Sequence, residues 1–242
     1  MTTPDGKPDN PQRTYLRRRG RTTRGQARAL TELSNRYCLD PGAGLLDPAS
    51  VFGRDVPLGL EIGFGMGHAL VEWALQRPGW NLLGIEVYQP GIGAAMLALA
   101  RHELANVRLL EAPAEQVLEA NLGPDSLTEV RIFFPDPWPK KRHHKRRLLQ
   151  PELVALLTRR LAPDGLLWVA TDWADYAAWI VDVLDCEPAL TRERAPRVET
   201  CGPGATDDEG RPRTRFESRG RRLGHAVWDL RYRRNRASTE SR

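Results

Sequence analysis

The chain has 242 residues, 40% hydrophobic and 28% charged, with 21 Gly and 19 Pro, a balance that suits one α/β domain with extensions better than two full domains. Its longest uncharged central stretch, the 14 residues Val87 to Ala100, is interrupted by Pro90, Gly91 and Gly93 and falls short of the about 20 apolar residues of a membrane span. Net charge is only +5, but the positive charge is segregated into blocks, the pattern of a protein that meets a polyanion.

Residues 1 to about 12 carry three prolines and no apolar h-region, so disorder is expected there and a secretory signal is not. Tyr15 to Gly25 reads YLRRRGRTTRG, a basic arm. A short helix is expected over Gln26–Tyr37, where Ala29, Leu30, Leu33 and Tyr37 share one face, and a Gly/Pro linker over Pro41–Pro57. The pattern then alternates. Strands are expected at Leu58–Ile62, Asn81–Glu86, Val107–Leu110, Glu129–Phe134 and Leu166–Thr171. Helices are expected at Gly67–Arg77, Gln89–Glu103, Pro113–Asn121 (with Pro113 in its first turn), Leu148–Leu161 and Trp173–Leu184. From Glu187 the tail reads as β, with a long polar loop over Arg194–Pro212 and a last strand at Ala226–Arg233. Such alternation argues βαβ units and a doubly wound, mostly parallel sheet. The three cysteines, Cys38, Cys186 and Cys201, form no C-x-x-C pair; neither a disulfide framework nor a zinc site is expected, which fits a reducing cytoplasm.

Three basic blocks stand out. Arg13 to Arg28 holds seven arginines and no acid; Lys140 to Arg147 reads KKRHHKRR; Arg211 to Arg222 holds six arginines against Glu217 alone. Interleaved with apolar, patterned sequence, they read as a nucleic-acid face rather than a solvated tail.

Three motifs carry chemistry. At the first strand-to-helix turn, Leu60-Glu61-Ile62-Gly63-Phe64-Gly65-Met66-Gly67 lets backbone approach a ligand near a helix N-terminus. The spacing G-x-G-x-G differs from the dinucleotide pattern G-x-G-x-x-G, and Glu61 suits a ligand carrying an ammonium group, as S-adenosylmethionine does. Glu86, 23 residues after Gly63 at the end of the next strand, is placed to reach ribose hydroxyls. Most specific is Val130-Arg131-Ile132-Phe133-Phe134-Pro135-Asp136-Pro137-Trp138-Pro139-Lys140. Here an apolar strand delivers an acid fixed between two prolines to the carboxyl end of the sheet, beside an aromatic face for base stacking and directly before the cations.

Together with Thr171-Asp172-Trp173, the run Thr214-Arg215-Phe216-Glu217-Ser218-Arg219-Gly220, Leu223-Gly224-His225 and the arm RRRGRTTRGQ, these motifs resemble bacterial tRNA (guanine-N7-)-methyltransferases of the TrmB type over roughly residues 15 to 234. The resemblance implies a Rossmann-like class I methyltransferase fold, a doubly wound mostly parallel sheet with an antiparallel C-terminal strand. Residues 1–50 would then be a basic, partly disordered arm with a short helix and linker, 51–236 the methyltransferase domain and 237–242 a tail. It implies S-adenosylmethionine as donor and, as substrate, the variable-loop guanine of tRNA at position 46. Glu61, Gly63, Gly65, Gly67, Glu86, Pro113, Ala114 and Asp136 fall on donor-binding positions, and Asp136 also on the catalytic centre. Lys140, Asp172, Thr214, Arg215, Phe216 and Glu217 fall on substrate-binding positions, and Arg142, His143, His144, Lys145, Arg146 and Arg147 on the RNA-contacting run. One position departs: Pro113 stands where the family has an Asp that addresses adenine, which leaves that role to the Ala114 amide, to Glu111 or Glu115, or to packing.

Guanine N7 is a lone-pair nucleophile, so the reaction needs alignment rather than a strong base; Asp136 and Asp172 are the expected acceptors for the N1–H and exocyclic amine of guanine. No metal is expected, because His143 and His144 lack a second ligand cluster. The expected setting is cytoplasmic, off the membrane, as a monomer or homodimer. Two rival readings remain open at this point: another Rossmann-like RNA methyltransferase, and a catalytically silent RNA-binding relative.

Overall fold

Continuous apolar runs in the middle of the chain can be satisfied only by burial on both faces, and a parallel sheet flanked by helices provides it. In the computed structural model, which describes residues 22–193 and 226–236 and the backbone of 197–199, these runs form the centre of one sheet. In chain order the elements are α1 (Arg24–Glu32), α2 (Ser34–Tyr37), β1 (Cys38–Leu39), α3 (Pro48–Phe52), β2 (Leu58–Ile62), α4 (His68–Gln76), β3 (Asn81–Glu86), α5 (Gln89–Arg101) and β4 (Val107–Glu111). They continue with α6 (Ala114–Ala120), β5 (Leu127–Phe133), α7 (Pro151–Arg160), β6 (Leu161–Thr171), α8 (Ala174–Asp185), β7 (Leu190–Arg192), β8 (Arg197–Glu199) and β9 (Val227–Arg234).

The strand order is β1-β4-β3-β2-β5-β6-β9-β7, with β8 also on β9. Strands β1 to β6 run parallel, and β9 is antiparallel to β6, β7 and β8. The sheet therefore grows outward from β2 in both directions, through β3 and β4 on one side and through β5 and β6 on the other. That reversal opens a crevice at the carboxyl ends of β2 and β5.

Side-chain alternation sorts the two layers. Leu58, Leu60 and Ile62 of β2 join a core closed by α6, α7 and α8. The opposite face is closed by α1, α4 and α5, around Trp73, Met96 and Leu99. Gly59 points to this second face, where a Cβ would come within 2.4 Å of the Trp73 ring, so the strand is glycine there because the tryptophan fills the space.

Several expectations shift locally. The linker contains a 3-10 turn at Pro41–Ala43 and the helix α3, capped by Asp47, which accepts from the Ala49 and Ser50 amides. The described part of residues 1–50 does not stand apart: β1 pairs with β4 as an edge strand, and α1 lies against α5 at Gly93, where a Cβ would meet the Gln26 carbonyl at 2.8 Å. Pro113 is the N-cap of α6 rather than part of its first turn, with ψ at 142°. The basic run forms a 3-10 turn over Lys141–Arg146. Strand β6 starts five residues earlier than the pattern suggests, since Leu161 already pairs with Leu127. Among the described residues no helix is long and apolar enough to cross a membrane.

Gly59→Ala is expected to destabilise the fold by about 1–3 kcal/mol through overpacking against Trp73. A lowered denaturant midpoint with an unchanged slope checks this.

Candidate active site

The glycine turn after β2 holds Gly63, Gly65 and Gly67 at φ of 73°, 56° and 80°, a region that L side chains enter only with strain. Gly63 donates its N–H to the Ile85 carbonyl (2.8 Å), which fixes the start of the turn. Phe64 is buried beneath it in the core of α4 and α5. The three glycines differ in what they serve. A Cβ on Gly63 or Gly65 would meet no atom within 4 Å, whereas on Gly67 it would strike Ala95 at 2.6 Å. Gly63 and Gly65 line a cleft of about 280 Å³; Gly67, buried, lets α4 approach α5. On the far side Gly91 of α5 leaves room for the Gly65 carbonyl, which a Cβ there would meet at 2.2 Å.

Glu86 ends β3 on the cleft wall. One carboxylate oxygen accepts from the Gly65 amide (2.8 Å); the other accepts from the amides of Val87 (2.7 Å) and Tyr88 (3.0 Å). Burial raises its pKa, and these three amide bonds oppose the rise. The carboxylate thereby ties the turn after β2 to the turn after β3.

Glu61 lies under the turn, 2% exposed, with Oε2 buried and without a hydrogen-bond partner among the described residues. Burial pushes its pKa up to about 8; Arg131 works against this and Glu86 adds to it. Arg131 is the cross-strand neighbour of Glu61 on β5. Its guanidinium lies between the rings of Trp73 (3.9 Å) and Trp168 (5.0 Å), and its Nε donates to Glu129 (2.6 Å). Sequence reasoning missed Arg131 as a partner of Glu61; the signal was a lone cation inside the apolar run Val130-Arg131-Ile132.

After β5 the chain makes the segment that carries Asp136. Phe134 donates to the Ala170 carbonyl (2.8 Å), and both Phe134 (φ 52°) and Trp138 (φ 45°) take left-handed conformations. Such strain concentrates at functional sites. Asp136, half-buried, lines the cleft with Pro113 and Ala114 of the α6 entrance. Glu111, which ends β4, is exposed and accepts from Gln89 Nε2 (2.9 Å).

Two expectations about this region are corrected. Trp138 is not a free stacking face: it is 9% exposed, with Arg146 5.2 Å from its ring centroid and the His143 ring edge-on at 5.7 Å. Arg147 does not project to solvent with the rest of the run. It is 1% exposed, its Nε donates to the Pro137 carbonyl (3.0 Å), and its Nη2 donates to Asp175. Lys140, Lys141, Arg142, Lys145 and Arg146 are exposed and His143 and His144 half-buried. Burial, followed by Arg142, Arg146 and Lys140, holds the His143 pKa below its ordinary value.

Asp172 follows β6 at the same end of the sheet as Asp136, half-buried and outside the cleft wall; Thr171 Oγ1 accepts from the amide of Trp173, two residues on (3.3 Å). The structure thus brings Gly63, Gly65, Glu86, Pro113, Ala114 and Asp136 to one cleft. It sets Glu61 beneath them and leaves Gly67, Lys140 and Asp172 off the wall. Thr214, Arg215, Phe216 and Glu217 lie outside the described residues, as do the arm up to Arg21 and the block Arg211–Arg222. Among the described residues no three His, Cys, Asp or Glu side chains gather as a metal site.

A family model described as a putative methyltransferase matches residues 55–230. The tRNA (guanine-N(7)-)-methyltransferase of Acidovorax sp. (strain JS42) is 50% identical over 218 residues, covering 90% of this chain and 84% of that one. The protein of the same name from Thiobacillus denitrificans is 50% identical over 225 residues, covering 92% and 95%. Among solved structures, the 16S rRNA methyltransferase KamB superposes with a TM-score of 0.56 at 15% identity, over 79% of this chain and 95% of that one. A 16S rRNA (adenine(1408)-N(1))-methyltransferase from Catenulisporales acidiphilia, solved with its cosubstrate, gives 0.55 at 18%, over 81% and 95%. At these identities the structural likeness speaks for the fold alone.

Glu61 makes a pH dependence testable. The unfolded chain ionises this carboxyl near 4.5, while the folded protein keeps it protonated to about 8. Its contribution to stability is therefore present below the lower value and lost as pH rises through the upper one. Glu61→Gln is expected to flatten the fall in stability between about pH 5 and about pH 8, read as urea midpoints of variant and wild type across that range.

Proposed function

Because this chain belongs to the tRNA (guanine-N(7)-)-methyltransferase family, which moves a methyl group from S-adenosylmethionine to guanine N7 of tRNA, we propose that its target is the variable-loop guanine. In this reading the cleft of Gly63, Gly65, Glu86 and Asp136 is the donor site. The observation that carries it is the convergence of these residues at the point where the sheet reverses its growth, above the unpartnered Glu61 oxygen.

The residues present fit the donor. At Gly63 and Gly65 the absent Cβ leaves cleft space. Apolar walls at Ile62, Ile85, Ala112 and Phe133 suit a nucleoside, and Glu61 offers a buried acceptor to an ammonium group. Glu86 holds the floor of the cleft and presents its carboxylate to ribose hydroxyls. S-adenosylmethionine supplies an electrophilic methyl on a sulfonium centre.

What the protein adds is alignment. Guanine N7 reacts through a lone pair, so no proton has to leave before the methyl arrives. Asp136, and Asp172 at the neighbouring strand end, accept from the N1–H and the exocyclic amine and so turn N7 toward the methyl. Holding two reactants at near-attack distance is worth several orders of magnitude in rate. The exposed cations Arg142, Lys145 and Arg146 meet tRNA phosphates, which gives the encounter its salt dependence; Lys140 and Thr214, Arg215, Phe216 and Glu217, the last four outside the described residues, bind the guanine substrate. The protein works in the cytoplasm, where its tRNA substrate is found.

Incubation with labelled S-adenosylmethionine and unmodified bulk tRNA, followed by nucleoside analysis, tests this. Label is expected in 7-methylguanosine, and Asp136→Ala is expected to lower the rate by about 10²-fold or more through misalignment. Label in a different nucleoside would transfer the substrate to another RNA methyltransferase class. tRNA binding with no transfer would support a silent RNA-binding protein.

Pro113 generates a second expectation. As the N-cap of α6 it makes no side-chain cap bond, and it stands on the cleft wall. Pro113→Asp restores an acceptor beside the adenine position and is expected to tighten donor binding about tenfold, the worth of one hydrogen bond to a charged group; calorimetric titration of both proteins measures it.

A further inference from the structure

Arg147 closes the run Arg142–Arg147 that reads, in sequence, as RNA-contacting, yet its surroundings are those of a buried brace. The guanidinium lies 5.0 Å from the Tyr176 ring centroid and 5.6 Å from that of Trp179, both on α8. Its Nε donates to the Pro137 carbonyl (3.0 Å), and its Nη2 donates to Asp175 and lies 3.1 Å from His144 Nε2. A buried guanidinium without partners would be strongly unfavourable; here two rings and two hydrogen-bond acceptors receive it.

The two acceptors matter more than the burial. Pro137 follows Asp136 directly and has no N–H, so its carbonyl is the only main-chain polar group by which that residue can be held. The segment runs between the left-handed Phe134 and Trp138, strained conformations that persist only where the surroundings over-determine them. Asp175 sits in the first turn of α8, three residues after Asp172. Leu148, the next residue after Arg147, lines the cleft. One side chain therefore fastens the segment carrying Asp136 to the helix that begins beside Asp172.

We propose that Arg147 is a positioning residue that sets the spacing of the Asp136 and Asp172 segments on which the guanine is aligned, and that it does not contact tRNA phosphate. The inference rests on the methyl-transfer reading above, in which those two carboxylates hold the base.

The two roles differ in what a lysine can replace. A phosphate contact needs a point charge, which lysine supplies; a planar fork reaching two acceptors in different directions it does not reproduce. Arg147→Lys is therefore expected to lower kcat about tenfold or more, with KM for tRNA little changed. Arg147→Met is expected to leave the slope of log affinity against log salt as in wild type, whereas Lys145→Ala flattens it by about 0.9, one phosphate contact. Asp175 is 63% exposed, so Asp175→Asn leaves a folded protein; it is expected to show part of the same kcat loss and to add none on top of Arg147→Lys.

A salt slope reduced by about 0.9 in Arg147→Met, with kcat kept in Arg147→Lys, would overturn the proposal. Should Arg147→Met fail to fold, as a thermal melt would show, Arg147→Lys and Asp175→Asn decide it through the split between kcat and KM. Wild-type transfer to 7-methylguanosine in the same series tests the functional reading separately. Were that transfer absent, the salt slopes would still settle whether Arg147 meets phosphate.

Discussion

The organising constraint is the reversal of sheet growth at β2. Because β3 and β5 flank the same strand, the chain leaving β2 and the chain leaving β5 turn away from each other, and the space between their carboxyl ends cannot be filled by a following helix. Everything that lines the cleft is a consequence. The glycine turn departs from β2, the Asp136 segment from β5 and Glu86 from β3, so a backbone turn and two carboxylates arrive at one place from strands that are adjacent only in the folded sheet.

Placing a carboxylate on so central a strand has a consequence of its own. Glu61 is buried and, among the described residues, lacks a hydrogen-bond partner for one oxygen, so burial favours its neutral form. Arg131 moderates this. Two tryptophans sandwich its guanidinium and Glu129 neutralises it, an arrangement that lets a cation persist inside a sheet face. An unsatisfied buried acceptor is energetically expensive, and in the proposed donor site an ammonium group would relieve that expense.

The cationic run shows how position within a short segment divides one chemistry into two tasks. A 3-10 turn, with about three residues per turn, sends successive side chains in different directions. Arg142, Lys145 and Arg146 face solvent, with Arg146 also lying over Trp138, while Arg147, just past the turn, is drawn under α8. The outward cations supply an electrostatic field that carries no positional information. The inward one is held by directional bonds and packing, and so supplies geometry.

The alternation of apolar strands with helices, the glycine turn and the acid between two prolines all follow from local chemistry, because burial period, positive φ and fixed φ act over a few residues. Strand limits at Leu58–Ile62 and Asn81–Glu86 were legible for that reason, whereas the gathering of Gly63, Gly65, Glu86 and Asp136 was expected only from the family resemblance. Membership of the family, whose motifs are contiguous in the chain, was legible too. Tertiary structure decided what depends on neighbours remote in sequence. Gly67 serves packing because Ala95 stands behind it, Trp138 is enclosed because Arg146 and His143 close over it, β1 joins the sheet because β4 receives it, and α1 joins the helical layer because α5 receives it. Arg131 and Arg147 are the clearest cases. A sequence marks an arginine only as a cation; whether it is a solvated charge or a buried brace depends on which rings and acceptors the fold brings within about 6 Å of it.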